Sequence, residues 1–238
     1  MSTTVTYDVL TSTASPIANN DCGVFRKTQY YNNTPPTSYD DLQTGHPYRY
    51  FGLDYSSYSN RYRFYQAYFR FVNVELEQGA TIESAYLKVE FEDMSAYGVG
   101  NDFRINGFDV DDQAQPLIGN SASEGAHSNH TTAFVDWTIP SLSSTKEVLS
   151  SPDIKTIVQE IVDRAGWSSG NALMLGVWLP STQSATYRRY FNTGKDSEDT
   201  KPQLVITYAT GGSSGTTKAK TFNLAQGMGS KFNLITEI

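Results

Sequence analysis

From about residue 61 to residue 208 this chain is written as short apolar and aromatic runs: "RFYQAYFRFVNVEL", "ATIESAYLKVEFED", "NDFRINGFDV", "TTAFVDWTI", "ALMLGVWLP" and "PQLVITYA". Each is bounded by Gly, Pro, Asn or Asp, which interrupt any longer regular element, so strands joined by turns are the simplest reading. Within "SAYLKVEFED", Ala85, Leu87, Val89 and Phe91 alternate with Tyr86, Lys88, Glu90 and Glu92. A period of two puts the first set on a buried face and the second on a wet one. That is how one layer of an antiparallel sandwich is written.

One stretch breaks the pattern. In "SPDIKTIVQEIVDRAGWSSGNALML", residues 151–175, the residues Ile154, Ile157, Val158, Ile161 and Val162 recur at three- and four-residue spacing. This predicts a helix with one apolar stripe, capped by Ser150 or Ser151, with Pro152 in its first turn, Asp153 near its positive end and Gly166 as its stop. A lone amphipathic helix in a β chain is expected to cross one end or flank of the sandwich and cover its core.

The flanks read differently. Residues 1–60 hold strand-like pieces such as "TTVTYDVL" among Asn-, Pro-, Ser- and Tyr-rich loops, and are taken as part of the sandwich whose core spans 61–208. Residues 209–238 open with "TGGSSGTTKAK", a flexible linker by composition, and continue as a mildly apolar arm with Phe222, Leu224, Phe232, Leu234 and Ile235. So short an arm cannot bury these groups alone. It is expected to dock on a neighbouring subunit or to fold back.

With 238 residues the chain is long enough to bury a core without staples, and its 16 Tyr and 12 Phe suit twisted sheets. A formal net charge of -7 leaves no basic footprint for a phosphate backbone, so nucleic acid is excluded as a partner. No apolar run approaches the roughly 18 residues of a membrane span. The start, "MSTTVTYDVLTSTASP", lacks the pattern of a signal peptide, and the single Cys22 cannot form an intrachain disulfide. Synthesis in a reducing cytoplasm is the expectation.

No catalytic set emerges. The carboxylates offer pairs everywhere without singling one out for glycoside hydrolysis, and Cys22 reads as a buried or merely reduced thiol. "GVGNDFRING" lacks the Gly-Lys-Ser/Thr ending and the following helix that phosphate binding needs. No cofactor is expected. His127 and His130 have a spacing a shared metal would accept but no evident third ligand, and a polar loop accounts for them. Asp109, Asp111 and Asp112 are the residues a structural calcium would use, against the plainer reading of a solvated turn. No metal is expected.

Tyrosine interleaved with arginine stands out instead. It runs through "YRYFGLDYSSYSNRYRFYQAYFRF" at 48–71, with Arg49, Arg61 and Arg63, and returns in Tyr187, Arg188, Arg189 and Tyr190. Such residues dominate protein interfaces, aromatic faces stack on sugar rings, and guanidinium groups meet the carboxylates of acidic polysaccharides. Tyr187 to Tyr190 are the candidate glycan- or partner-binding residues. Trp137, Trp167 and Trp178 are assigned to the core.

The ordered blocks "GATIESAYLKVEFE", "INGFDVDD", "TTAFVDWTIP", "SPDIKTIVQEIVDRAGWSSGNALMLGVW" and "KPQLVITY" resemble those of the DNRLRE, or disaggregatase-related, β-sandwich family. The resemblance runs from about Arg61 to Tyr208 and is most specific in the helix-Gly-Trp-x-x-Gly-Asn-Ala segment. It implies an all-β, jelly-roll-like antiparallel sandwich of the kind found in bacterial surface and polysaccharide-processing proteins and in tailed-phage structural proteins. The function expected is that of a non-enzymatic virion protein, a capsid decoration or tail- or fibre-associated component. Such a protein would form homo-oligomers, contact other virion proteins through its terminal arms, and display a sandwich able to bind polysaccharide. The alternative is a carbohydrate-binding module of a bacterial polysaccharide-degrading or adhesion system.

Overall fold

The structure is a computed structural model that describes residues 1–10, 21–44, 46–97, 102–117, 125, 127–182, 186–195 and 200–209. Its strands are β1 (Ser2–Asp8), β2 (Cys22–Tyr30), β3 (Asp41–Gln43), β4 (Tyr48–Ser56), β5 (Arg61–Phe71), β6 (Ile82–Tyr97), β7 (Asp102–Phe108), β8 (His130–Thr138), β9 (Lys146–Ser150), β10 (Leu173–Trp178), β11 (Tyr187–Asn192) and β12 (Gln203–Ala209); among the described residues one α-helix, α1 (Lys155–Val162), precedes β10, and a short 3-10 turn (His127–Asn129) precedes β8. The fold is all-β.

All pairings are antiparallel, and the strands form one continuous curled sheet in the order β1-β12-β6-β11-β4-β5-β10-β7-β8. Two long strands make this possible by changing partners along their length. β5 pairs β4 through Arg61 to Tyr65 and β10 through Ala67 to Phe71, while β2 lies along its opposite edge. β6 takes β12 and then β11 on one edge and β9 on the other. The first sixty residues supply β1 to β4, so they belong to the sheet itself.

The curl encloses an aromatic core. Phe51 lies 4.7 Å from Phe103, 5.7 Å from Phe191 and 6.1 Å from Phe91 between ring centres, and Phe91 meets Trp137 at 5.5 Å. The alternation read in β6 holds for Ala85, Leu87, Val89 and Phe91, all buried. It fails at Glu90, which is also buried, because Asn192 of the neighbouring β11 hydrogen-bonds its carboxylate.

The helix differs from expectation at both ends. It has no side-chain cap, and Ser151 serves β6 instead. The N–H groups of Leu87, Ala85 and Ile82 donate to Ser151 Oγ (3.0 Å), Asp153 Oδ1 (3.0 Å) and Gln159 Oε1 (2.9 Å), so the segment entering α1 and the helix itself satisfy the strand edge where β9 stops. Ile154, Ile157, Val158, Ile161 and Val162 are fully buried. A missing cap costs about 1 kcal/mol, whereas each buried aliphatic side chain contributes roughly 1.5–3 kcal/mol. Packing therefore decides that this short helix forms. Gly166 does not end α1 in a left-handed turn; a Cβ there would run into the Asp111 carboxylate.

Candidate functional site

Strand alternation divides the four candidates of β11. In its register Arg189 stands opposite Phe51 and Tyr190 opposite Tyr50. Arg189 is buried, its Nη2 donating to the carbonyls of Ile139 (3.2 Å) and Pro140 (3.1 Å), so it ties down the chain leaving β8 and is closed to a ligand. Tyr187 is half-buried against the core. Arg188 and Tyr190 come together on the other face.

There they join residues from two further strands. The Tyr190 ring lies 5.1 Å from that of Tyr50 and 6.4 Å from that of Tyr48, and Tyr50 lies 4.4 Å from Tyr65 on β5. The Arg188 guanidinium carbon sits 4.9 Å above the Tyr50 ring and 5.2 Å above that of Tyr190. Arg188 and Arg63 each place an Nη1 3.1 Å from an oxygen of Asp54. Rings and guanidinium groups thus hold one another at fixed angles, a preorganised and half-exposed surface. Burial and the Tyr65 hydroxyl push the Tyr50 phenol upward, which keeps it neutral.

Gly52 sits between Tyr50 and Asp54 on β4 with φ +110°, and a Cβ there would overlap the Tyr187 carbonyl. Only glycine fits, and its lack of a side chain lets β11 approach closely enough for Arg188 to lie over Tyr50.

Beside this face opens a small pocket of about 120 Å³, bordered by Gln43, His46, Tyr48, Arg49, Tyr50 and Tyr65. His46 packs edge-on to Tyr48 at 4.7 Å. Arg49 Nη2 donates to the Thr44 carbonyl at 2.6 Å. Sequence reasoning singled out the 48–71 stretch for composition, but neither His46 nor the pocket; both depend on how β4 lies against β2 and β5.

The remaining candidates resolve otherwise. Arg164 ion-pairs with Asp109 and, at 2.6 Å, with Asp111, while Asp112 accepts the Ala172 N–H at 2.8 Å. A guanidinium therefore stands where a calcium ion would have to be. Among the described residues no group of three or more His, Cys, Asp or Glu is placed to hold a metal. His127 and His130 do not form a loose polar loop. Their rings lie 4.8 Å apart in a cluster with Trp178, Phe108, Tyr39 and Gln66. Trp178 is accordingly only half-buried, unlike Trp137 and Trp167. Cys22 is buried, and burial pushes its thiol well up. Of "GVGNDFRING", Asp102 to Gly107 lie in strand β7, and the residues before them lie outside the described ones. Phe222, Leu224, Phe232, Leu234 and Ile235 lie outside the described residues. No helix among the described residues is long and apolar enough to cross a membrane.

No protein-family model matches the chain, and neither does any curated protein.

Proposed function

We propose that this chain is a non-enzymatic glycan-binding protein whose ligand lies across β11, β4 and β5, on the surface formed by Tyr48, Tyr50, Tyr190 and Arg188. The observation that carries this reading is the packing of Arg188 over Tyr50 and Tyr190 while it ion-pairs with Asp54. Fixed aromatic faces take the apolar face of a sugar ring, and an anchored guanidinium–carboxylate pair offers donors and acceptors to its hydroxyls. The setting we adopt is a tailed-phage particle, as a decoration, tail or fibre component, because comparable sandwiches serve there and a displayed sandwich that holds host or capsule glycan suits that place. The alternative setting is a module of a bacterial polysaccharide-degrading or adhesion system.

The test is a glycan array probed with the wild-type chain and with Tyr50→Ala. We expect a defined set of bound oligosaccharides whose signals fall at least tenfold in the variant while its thermal midpoint stays within a few degrees. An array without signal, or one unchanged in Tyr50→Ala, overturns the reading.

A further inference from the structure

We infer that the pocket beside the aromatic face is a receptor for one carboxylate, with Arg49 as its counter-charge, and that the ligand of this protein is an acidic sugar that drops its carboxylate there. The inference rests on the glycan-binding reading for the source of the carboxylate, but not for the pocket itself.

The argument starts from where the arginines find their charge partners. Arg26 lies on Asp41, Arg63 and Arg188 share Asp54, Arg70 lies on Asp21, Arg104 on Asp136, and Arg164 on Asp109 and Asp111. Arg49, like Arg61, is ion-paired to no carboxylate among the described residues, but of the two only Arg49 borders the pocket. Its Nη2 has the Thr44 carbonyl, and its Nε is buried without a hydrogen-bond partner, as are those of the ion-paired Arg26 and Arg63 and of Arg61, so what sets Arg49 apart is the missing carboxylate beside a cavity. Burial pulls this guanidinium below its ordinary value, the mark of a charge short of compensation. An uncompensated, partly dry guanidinium costs stability, and here it borders a cavity instead of solvating itself at the surface.

Size and walls fit a carboxylate. A volume of about 120 Å³ holds about four waters at ~30 Å³ each, enough for a carboxylate and one water. Tyr48, Tyr50 and Tyr65 line it, and their rings lower the local dielectric, which strengthens a charge-assisted bidentate contact with Arg49. Gln43 and His46 add polar side chains at its border. Tyr48 and Tyr50 belong to pocket and sugar face alike, so a sugar held at this face has the pocket within reach of its substituent. The local balance also differs from that of the whole molecule: Arg63 and Arg188 share the one carboxylate of Asp54 and Arg49 beside them adds a third positive charge, in a chain of net charge -7. An acidic ligand gains nothing from that overall charge and must be recognised at this patch.

The experiment compares binding of oligogalacturonate with that of its methyl ester, the same sugar without the charge, and follows acetate and inorganic phosphate by NMR shifts of the pocket residues. We expect wild type to prefer the acid over the ester at least tenfold, Arg49→Met to bind the acid no better than the ester, and Arg49→Lys to keep part of the preference. Equal affinity for acid and ester in wild type, together with silence towards acetate, overturns the inference, and so does a preference that survives in Arg49→Met. Should Arg49→Met not fold, the acid-to-ester ratio of wild type and of Arg49→Lys decides. Acetate shifts that vanish in the Arg49 variants, without binding of any oligosaccharide, uphold the pocket and overturn the sugar reading. Phosphate shifting the same residues more than acetate points to a free inorganic anion and overturns the carboxylate assignment.

Discussion

Gln66 Nε2 lies 3.0 Å from His130 Nε2, the glutamine fully buried and the histidine half-buried in the cluster that also holds His127, Tyr39 and Trp178. Burial holds both imidazoles neutral: it takes His127 down to about 4 and His130 down to about 3, the latter helped by the neighbouring His127.

This arrangement makes the fold sensitive to mild acid. In the unfolded chain each histidine takes up a proton near pH 6.5, whereas in the folded chain it does so only near pH 4 or below. The contribution is therefore present above about pH 6.5 and is lost as pH falls from there towards 4, where the unfolded state binds more protons. Between pH 7 and pH 5 we expect a loss on the order of 1–2 kcal/mol per histidine, measured as urea midpoints. His130→Gln should flatten that dependence. Identical wild-type slopes with and without His130 would refute the assignment.

The cover that α1 lays over β6 predicts a second outcome. Gln159 accepts the Ile82 N–H and donates to the Ala80 carbonyl at 3.0 Å. Gln159→Leu keeps the size and helix preference but leaves both backbone groups unsatisfied, which costs about 1–3 kcal/mol. Denaturant titration gives the magnitude, and faster amide exchange at Ile82 gives the location. Unchanged exchange there would show that the edge is satisfied in another way.

Two glycines with positive φ should respond unequally to alanine. At Gly79, with φ +71°, a Cβ meets open space, so Gly79→Ala costs about 1 kcal/mol of backbone strain. At Gly52, with φ +110°, the Tyr187 carbonyl is in the way, and Gly52→Ala adds displacement of β11 to a strain of about 1–3 kcal/mol. Thermal midpoints rank the two. Glycan binding should weaken only in Gly52→Ala.

A chain ending at Ala209 should remain folded, because β12 ends there and the described core is closed by residues before it. We expect light scattering to find the full chain as an oligomer and the shortened one as a monomer with the same circular dichroism. Unfolding on truncation would mean that the arm completes the core; an unchanged mass would remove its role in assembly.

Local pattern carried much of the fold. Ala85 to Phe91 showed their buried face by alternation, and Ile154 to Val162 showed a helix by spacing, because each signal lies within a few neighbouring residues. What pairing decides was not legible. Arg188 and Arg189 are equivalent in sequence, yet one lies over Tyr50 and the other is buried, because strand parity separates them only once β11 is set against β4. Glu90 looked wet until Asn192 stood beside it. Asp109 and Asp111 resembled calcium ligands because nothing in the sequence says that Arg164, more than fifty positions later, closes over them.

The placement of β12 between β1 and β6 has a consequence for how the molecule is born. Among the described residues β1 pairs only with β12, Ser2 facing Ala209 and Asp8 facing Gln203. During synthesis, then, β1 leaves the ribosome about two hundred residues before its partner exists, and β6 keeps an open edge for about half as long. Such distant contacts make folding slow, and they leave two strand edges exposed to other nascent chains until β12 slides in to close them.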